Sequence, residues 1–88
     1  GVMNQFTREL PQELFVIRAR DVTEGIAAVL AVRSHKTVVL DLTSMDNVQA
    51  QRTADFVSGG VQAVDGEEHR IGEHVFLFTP AGVQVTLN

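Results

Sequence analysis

The 88-residue chain contains no cysteine, no tryptophan and no tyrosine, and only two prolines. Without cysteine it can form neither a disulfide framework nor a thiolate metal site, which fits a reducing compartment. No apolar run reaches the roughly 18 to 20 residues that a membrane-spanning helix needs. These absences exclude a disulfide-stapled fold and a membrane span within this sequence.

Basic residues are also scarce. Seven lysines and arginines stand against eleven acidic residues, which gives a formal net charge of −4. Proteins that bind nucleic acid usually carry a basic stripe, whereas the basic residues here are scattered, so we expect no nucleic acid partner. A single domain of this length buries only about 60 to 65% of its unfolded surface, and oligomerisation would therefore stabilise it.

The chain is organised around a strand followed by a helix. Residues 38–42 are apolar at both alternating positions, which predicts a central strand that is covered on both faces. Asp46 is predicted to cap a helix over about 47–58, and Gly59 with Gly60 supplies the left-handed exit at its end. The buried stripe of this helix consists of small residues, so a neighbouring backbone could approach closely.

A strand and a helix precede this unit. Residues 14–17 are apolar at both sets of alternating positions, which predicts a first buried strand that extends toward Arg20. Asp21 and Glu24 form a capping box that begins the first helix, and apolar residues follow at helical spacing. The apolar set is Val22, Ile26, Val29 and Leu30. Two strands joined by a helix in so few residues predict a βαβ unit with parallel strands.

After the second helix the pattern predicts strands alone. They are expected at 61–64, 68–71, 74–79 and 83–87. Asp65 and Gly66 predict a hairpin turn, because this pair tolerates positive φ, and Pro80 begins a further tight turn. Gly72 is interpreted as a bulge or kink between the two short runs at 68–71 and 74–79. The predicted fold is α/β, an α+β sandwich of order β-α-β-α-β-β-β with two helices and a five-stranded mixed sheet. Residues 1–12 are interpreted as a flexible lead-in and 13–88 as the core domain.

The strand predicted at 74–79 is apolar on both faces. Phe76 and Phe78 point to one face, and Val75 and Leu77 to the other. If both helices lie on one face of the sheet, the other face must meet another subunit or a ligand, because large exposed apolar patches usually mark interfaces. We therefore predict a homodimer. The alternative is that one helix covers each face.

No catalytic constellation can be assembled from the sequence. His69 and His74 lie among glutamates, but their spacing across a kink fixes no shared metal geometry, and a solvated strand edge is favoured. Ser44 has no neighbouring base to activate it as a nucleophile. Asp41 interrupts the central strand and needs a partner, for which Arg52 or another basic side chain is expected. We predict no enzyme activity, no metal and no cofactor.

Arg70 is the candidate binding residue. It stands in a short predicted strand near Phe76, so it could offer a cation beside an apolar pocket. This combination suits a peptide that carries both an acidic and an apolar side chain. From composition alone, Arg70 is interpreted equally well as an ordinary exposed arginine.

Six short motifs follow one another along the chain. They are Leu42-Thr43-x-Met45-Asp46, Gln49-Ala50-Gln51-Arg52, Asp55-Phe56-Val57-x-Gly59-Gly60, Asp65-Gly66, Arg70-Ile71-Gly72 and Phe76-Leu77-Phe78-Thr79-Pro80. In this order and spacing they resemble the core domain of SepF, a bacterial cell-division protein, and its cyanobacterial members above all. The resemblance covers residues 14–87. It implies a domain that dimerises or polymerises and binds the C-terminal peptide of FtsZ, supporting Z-ring assembly, anchoring and formation of the division septum.

The resemblance also implies roles for individual residues. Family members hold the FtsZ peptide with a basic residue and aromatics of the last strands, and these positions match Arg70, Phe76 and Phe78. The expected oligomer interface lies on the second helix. It comprises Ala50, Ala54, Val57 and Gly59. Gln62 departs from the family pattern, since many members carry an aromatic there.

The resemblance further implies a location in the cytoplasm, at the division site on the inner face of the membrane. In the family a separate N-terminal amphipathic helix, followed by a flexible linker, attaches the assembly to the membrane. We do not expect that helix in this sequence.

An alternative class is a regulatory phospho-switch domain resembling the STAS fold, in which a similar strand also leads into a helix. Those proteins carry a phosphorylatable serine at the start of the helix. Here the matching positions are Asp46-Asn47-Val48-Gln49, and Ser44 lies upstream of them. Phosphorylation of Ser44 by a partner kinase would distinguish this class from an adaptor.

Overall fold

The structure of the protein is a computed structural model that describes residues 14–83 and residue 85. Its elements are β1 (Leu14–Arg18), α1 (Val22–Arg33), β2 (Thr37–Asp41), α2 (Asn47–Ala63), β3 (Glu67–Gly72) and β4 (Val75–Thr79). They form one mixed sheet of order β1-β2-β4-β3, in which β1 and β2 are parallel and the other pairs antiparallel. The α+β class and the parallel βαβ unit are confirmed. The predicted strand at 83–87 and the lead-in at 1–12 fall mostly or wholly outside the described residues.

Both helices begin where the sequence predicts, because their caps are local. The Asp21 carboxylate accepts the backbone N–H of Glu24 at 2.9 Å, and the Asp46 carboxylate accepts that of Gln49 at 2.8 Å. Glu24 also reaches back and accepts the backbone N–H of Arg20 at 2.7 Å. These bonds satisfy N–H groups that have no partner within the helix itself.

The buried side of α1 differs from the predicted one. Its buried residues are Gly25, Ala28 and Val32. The predicted Val22, Ile26 and Leu30 are 44%, 36% and 48% exposed, and only Val29 packs against the core. A Cβ at Gly25 would lie 2.8 Å from the Thr53 methyl group of α2. The small side of α1 therefore faces inward because it lets the two helices pack closely, and the larger apolar side stays outside.

Helix α2 continues through Gly59 and Gly60 as far as Ala63. The predicted helix end at the glycine pair and the predicted strand at 61–64 are therefore wrong. A Cβ at Gly60 would lie 2.7 Å from Cγ2 of Val29 in α1. Gly60 thus serves close packing between the two helices rather than a change of backbone direction.

The true end of α2 is a Schellman motif at Asp65. Asp65 has a φ of 62°, its N–H donates to the Gln62 carbonyl at 3.0 Å, and the Gly66 N–H donates to the Val61 carbonyl at 2.8 Å. The same motif ends α1, where His35 has a φ of 65°. Asp65 and Gly66 therefore end a helix, and the prediction of a hairpin turn there is wrong.

One face of the sheet forms the core with the helices. Val38 pairs with Phe78, and Leu40 pairs with Phe76; all four side chains are at most 5% exposed. The two phenylalanine rings stack with their centres 6.0 Å apart. Residues of both helices complete the same core cluster: Ala28, Val32, Ala54, Val57 and Val61. Both helices therefore cover this face, and the alternative of one helix on each face does not hold.

The opposite face, here called the open face, carries no helix in the described part of the chain. By the strand register its residues include Leu14 and Val16 of β1, Val39 of β2, Val75 and Leu77 of β4 and His69 of β3. The central three are half-buried, whereas Leu14 and Val16 are 56% and 69% exposed. The prediction that β1 is a buried strand is wrong, because β1 is the edge strand and nothing among the described residues covers this side of it.

Candidate functional site

Arg70 is held in a fixed position on β3. It lies opposite Phe76, and its guanidinium carbon is 5.7 Å from the centre of that ring. Nε donates to the Gly72 carbonyl at 3.2 Å, and Nη2 donates to the Glu73 carbonyl. The strand register shifts between Arg70 and Gly72, as at a β-bulge. Because a guanidinium has five N–H donors, several remain for a carboxylate.

The two phenylalanines of the predicted peptide site do not reach the surface. Phe76 is 5% exposed, and Phe78 is fully buried beneath the helices. Phe76 supports the Arg70 guanidinium from below, and Phe78 supports Phe76 in turn. Ile71, next to Arg70 in the chain, is 47% exposed. The accessible part of this site is therefore the Arg70 cation itself, next to an exposed Ile71 in the chain.

Three of the four residues predicted for the oligomer interface pack inside the chain. Ala50 and Val57 are fully buried and Ala54 is 4% exposed, because they form the side of α2 that faces the sheet. Gly59 is exposed, and no atom lies within 4 Å of a Cβ placed on it. Of the predicted interface residues, only Gly59 is accessible to another subunit.

Sequence reasoning missed an apolar patch on the outside of the helices. This helix patch consists of Val22, Ile26 and Leu30 of α1 with Phe56 of α2, which is 55% exposed. The first three are spaced by four residues and form one stripe. The signal that could have revealed it was a helix with apolar residues on two sides, only one of which can meet the core.

Phe56 lies beside the α1 stripe because of how the helices pack. Gly25 is close to Thr53, and Val29 is close to Gly60, so the two helices run in the same direction. Phe56 stands one turn before Gly60 and therefore lies at about the level of Ile26. The four side chains form one surface on the side of the molecule opposite the open face.

Asp41 finds its partners nearby and not on α2. Its carboxylate accepts the Thr43 hydroxyl at 2.6 Å and the Thr43 backbone N–H at 2.9 Å, and Arg18 Nε lies 3.3 Å away. These hydrogen bonds, from Thr43 first and Arg18 second, hold the pKa of Asp41 below its usual range despite its partial burial. The expected partner Arg52 is replaced by Arg18, its neighbour in the sheet register.

The two strand histidines lie at different places. His74 Nε2 is 3.0 Å from Asn47 Oδ1, which joins the start of β4 to the start of α2. His69 lies on the open face, where its Nε2 is 3.8 Å from Glu67 Oε2. Across residues 14–83 and 85, no group of three or more acidic, histidine or cysteine residues could hold a metal ion. No helix in this same part of the chain is long and apolar enough to cross a membrane.

The fold is a small α+β domain with one sheet face that carries no helix among the described residues, an outer helix patch and a fixed cation at Arg70. The family model described as "Cell division protein SepF" matches residues 15–85. The chain belongs to the SepF family, which leaves the STAS-like alternative without support.

Curated relatives agree with this assignment. The chain is 53% identical over 74 residues to "Cell division protein SepF" of Trichormus variabilis, covering 84% of this chain and 37% of that protein. It is 50% identical over 74 residues to the protein of the same description in Synechococcus elongatus, covering 84% and 39%. The chain therefore spans little more than a third of the length of these relatives.

Two solved structures show the same fold. The "SepF-like protein from Pyrococcus furiosus" matches with a TM-score of 0.74 at 13% identity, covering 84% of this chain and 93% of that one. The "SepF-like protein from Archaeoglobus fulgidus" matches with a TM-score of 0.65 at 20% identity, covering 85% and 93%. At these identities the likeness concerns the fold alone.

Proposed function

We propose that this domain is a cell-division adaptor that binds the C-terminal peptide of FtsZ and joins copies of itself through its apolar surfaces, supporting assembly and anchoring of the Z-ring. The observation that carries the proposal is the open face, an apolar sheet surface that both helices leave uncovered. Such a surface suits an interface with another protein. The adaptor performs no covalent chemistry and uses no cofactor.

The open face is the proposed dimer interface. At the centre of this face, Val16 of β1, Val39 of β2 and Leu77 of β4 form an apolar row across the sheet. Two copies related by a twofold axis can place the same surface on each other, since such an interface is self-complementary. Burial of this area would add apolar contacts that a chain of 88 residues cannot make alone.

The helix patch is the proposed surface for assembly beyond the dimer. It lies on the other side of the molecule, so contacts through it do not compete with contacts through the open face. A protein with two separate self-association surfaces forms an extended polymer unless the geometry closes a ring. Gly59 is on the exposed side of α2 and allows a neighbouring chain to come close.

Arg70 is the proposed contact for the FtsZ peptide. Its guanidinium is fixed by two backbone carbonyls and the Phe76 ring, so little side-chain entropy is lost when it binds a carboxylate. Phe76 and Phe78 act by holding this group from the core. A single short peptide binds weakly, but a filament presents many tails to a dimer or polymer, and effective concentration strengthens the attachment.

Titration of an FtsZ C-terminal peptide tests the peptide site. We expect Arg70→Glu to weaken binding by about tenfold or more, because it replaces the cation by a repelling charge. Phe76→Leu keeps an apolar side chain in the core but removes the ring, and we expect a smaller loss. Isothermal titration calorimetry gives the affinities, and circular dichroism checks the fold of each variant.

Arg52→Glu is the matched control, since Arg52 is exposed on α2 and undergoes the same change of charge. It should bind the peptide within about twofold of wild type, because an exposed charge that does not contact the peptide contributes little to affinity. Equal binding by folded Arg70→Glu and wild type would refute the role of Arg70. Equal losses in both variants would show a nonspecific effect of charge.

We further propose that the domain acts in the cytoplasm, at the division site on the inner face of the membrane. FtsZ filaments would bring it there through the Arg70 site. Attachment to the membrane itself would belong to an N-terminal amphipathic helix elsewhere in the full-length protein.

A further inference from the structure

Arg70 and Glu68 are neighbours on the same side of β3. They lie two residues apart in the strand, opposite Phe76 and Phe78 of β4, and both side chains are exposed. Side chains two positions apart in a strand point to the same face, and their Cα atoms are roughly 6.6 Å apart. The long side chains of glutamate and arginine can bridge this distance. The chain itself therefore carries a carboxylate within reach of the cation that is proposed to bind a peptide carboxylate.

The two side chains nevertheless do not pair. Among the residues that the structure describes, no carboxylate forms an ion pair with Arg70. The Arg70 guanidinium donates instead to the carbonyls of Gly72 and Glu73, which follow it in the chain. The Glu68 carboxylate accepts the hydroxyl of Ser58, which belongs to α2. Each charge is thus held by a different neutral partner, and Arg70 keeps free N–H donors.

Ser58 can hold Glu68 because of its place in α2. It follows the buried Val57 and is half-buried beside the sheet. Serine is a weaker helix former than alanine, so its presence within the helix does not serve helix formation. Its hydroxyl has one proton to donate, and a hydrogen bond to a carboxylate is stronger than one between neutral groups. The observed bond joins α2 to β3 and fixes the direction of the Glu68 side chain.

We propose that Ser58 is a positioning residue of the peptide site, because it holds the Glu68 carboxylate on α2 and so keeps it from occupying Arg70. The inference rests on the proposed function and adds how the site stays open. Without the Ser58 hydroxyl, the Glu68 side chain can turn along the strand to Arg70. It then competes with the peptide as a carboxylate of the same chain, which is present at high effective concentration.

Calorimetric titration of an FtsZ C-terminal peptide into Ser58→Ala tests the proposal. Alanine removes the hydroxyl and suits the helix. An exposed ion pair shifts an equilibrium by up to about fivefold, so we expect the dissociation constant of the peptide to rise about two- to fivefold. The ratio between variant and wild type should approach one as salt is added, because salt screens an exposed ion pair. Circular dichroism checks the fold of each variant.

Glu68→Gln distinguishes this role from a merely structural one. Glutamine keeps the length of the side chain and an acceptor for Ser58, but it has no charge with which to occupy Arg70. The double variant Ser58→Ala/Glu68→Gln should therefore bind the peptide within about twofold of Glu68→Gln alone. Ser58→Ala/Glu67→Gln is the matched control, since Glu67 carries the same charge but lies on the open face near His69. It should keep the loss that Ser58→Ala shows.

Arg70→Glu separates the failure of this inference from the failure of the proposed function. If Arg70→Glu binds weakly while Ser58→Ala binds as tightly as the wild type, the role of Ser58 is overturned and the peptide site stands. A loss in Ser58→Ala that Glu68→Gln does not restore also overturns that role, because the hydroxyl then acts only by joining α2 to β3. A wild type that binds no peptide, or an Arg70→Glu variant that binds equally well, contradicts the proposed function and this inference together.

Discussion

The surroundings of Asp41 illustrate what single residues contribute. The sequence indicates that a carboxylate in a central strand must have a partner, and that expectation is confirmed. The identity of the partner could not be deduced, because it depends on register: Arg18 is level with Asp41 only once β1 and β2 pair in parallel. Thr43 lies two residues further along the chain, in the turn that follows the strand. From there its backbone N–H and its hydroxyl both donate hydrogen bonds to the Asp41 carboxylate.

Asp41→Asn tests this network through its pH dependence. The hydrogen bonds from Thr43 and Arg18 lower the pKa of Asp41 in the folded state. The ionised Asp41 side chain therefore stabilises the fold fully above the pKa of an unfolded aspartate, about 3.9. This stabilisation is lost as the pH falls through the lower pKa of the folded state. At about pH 7 we expect the variant to lose about 1 kcal/mol of unfolding free energy.

Urea unfolding at several pH values measures this effect. The difference between wild type and Asp41→Asn should narrow as the pH falls toward about 2, because the wild-type carboxyl then becomes neutral too. Asp55→Asn, which makes the same change on the exposed side of α2, is the control. A difference for Asp41→Asn that persists unchanged in acid would contradict the assigned role of the charge.

At the scale of elements, both helix starts could be predicted, whereas the end of α2 could not. Asp21 and Asp46 were identifiable because an N-cap is a local pattern of a few residues. The end of α2 at Asp65 was not, because a residue with a side chain occupies the left-handed position that glycine usually takes. The Gly59-Gly60 pair resembles that signal. Glycine is needed at Gly60 for another reason, because a Cβ there would clash with Val29, which lies 31 positions away in the sequence.

The adjacent glycines of α2 provide a matched pair of substitutions. Gly59→Ala should stabilise the fold by up to about 1 kcal/mol, because alanine has the higher helix propensity and no atom lies within 4 Å of its Cβ. Gly60→Ala should destabilise the fold by about 1 to 3 kcal/mol, because its Cβ would lie 2.7 Å from Val29 Cγ2.

Chemical denaturation of both variants under identical conditions gives the sign of each effect. Because the two changes are chemically the same and one residue apart, helix propensity is held constant between them. Stabilisation by both, or destabilisation by both to the same extent, would show that the close contact between α1 and α2 is not as described.

The inner side of α1 shows a second limit at this scale. Apolar periodicity found the stripe of Val22, Ile26 and Leu30, but these residues lie outside. Apolar periodicity indicates that a stripe exists, but it does not indicate which of two apolar sides of a helix packs against the sheet. Here the side with Gly25 packs inward, because the missing side chain of Gly25 lets Thr53 of α2 approach.

For the whole molecule, counting covered faces was the informative step. Two helices cannot cover both apolar faces of a sheet from one side, and the structure places both on the face of Phe76 and Phe78. The resulting bare face was therefore predictable as a possibility from the sequence. The burial of those two rings could not be predicted, because the resemblance supplies positions in the sequence and not depth in the fold.

The central claim is that a second copy of the chain covers the open face. Sedimentation velocity of the wild type beside Val16→Glu and Ile26→Glu tests it directly. Val16 is 69% exposed on the open face, and Ile26 is 36% exposed on the helix patch, so both changes leave the core intact.

We predict that the wild type sediments at twice the 9.6 kDa mass of the chain or as larger assemblies of that dimer. Ile26→Glu should remain a dimer and lose only higher assembly, whereas Val16→Glu should sediment as a monomer, because two buried carboxylates would face an apolar surface. A wild type that is monomeric at high concentration, or a Val16→Glu variant that dimerises as well as the wild type does, would contradict the account.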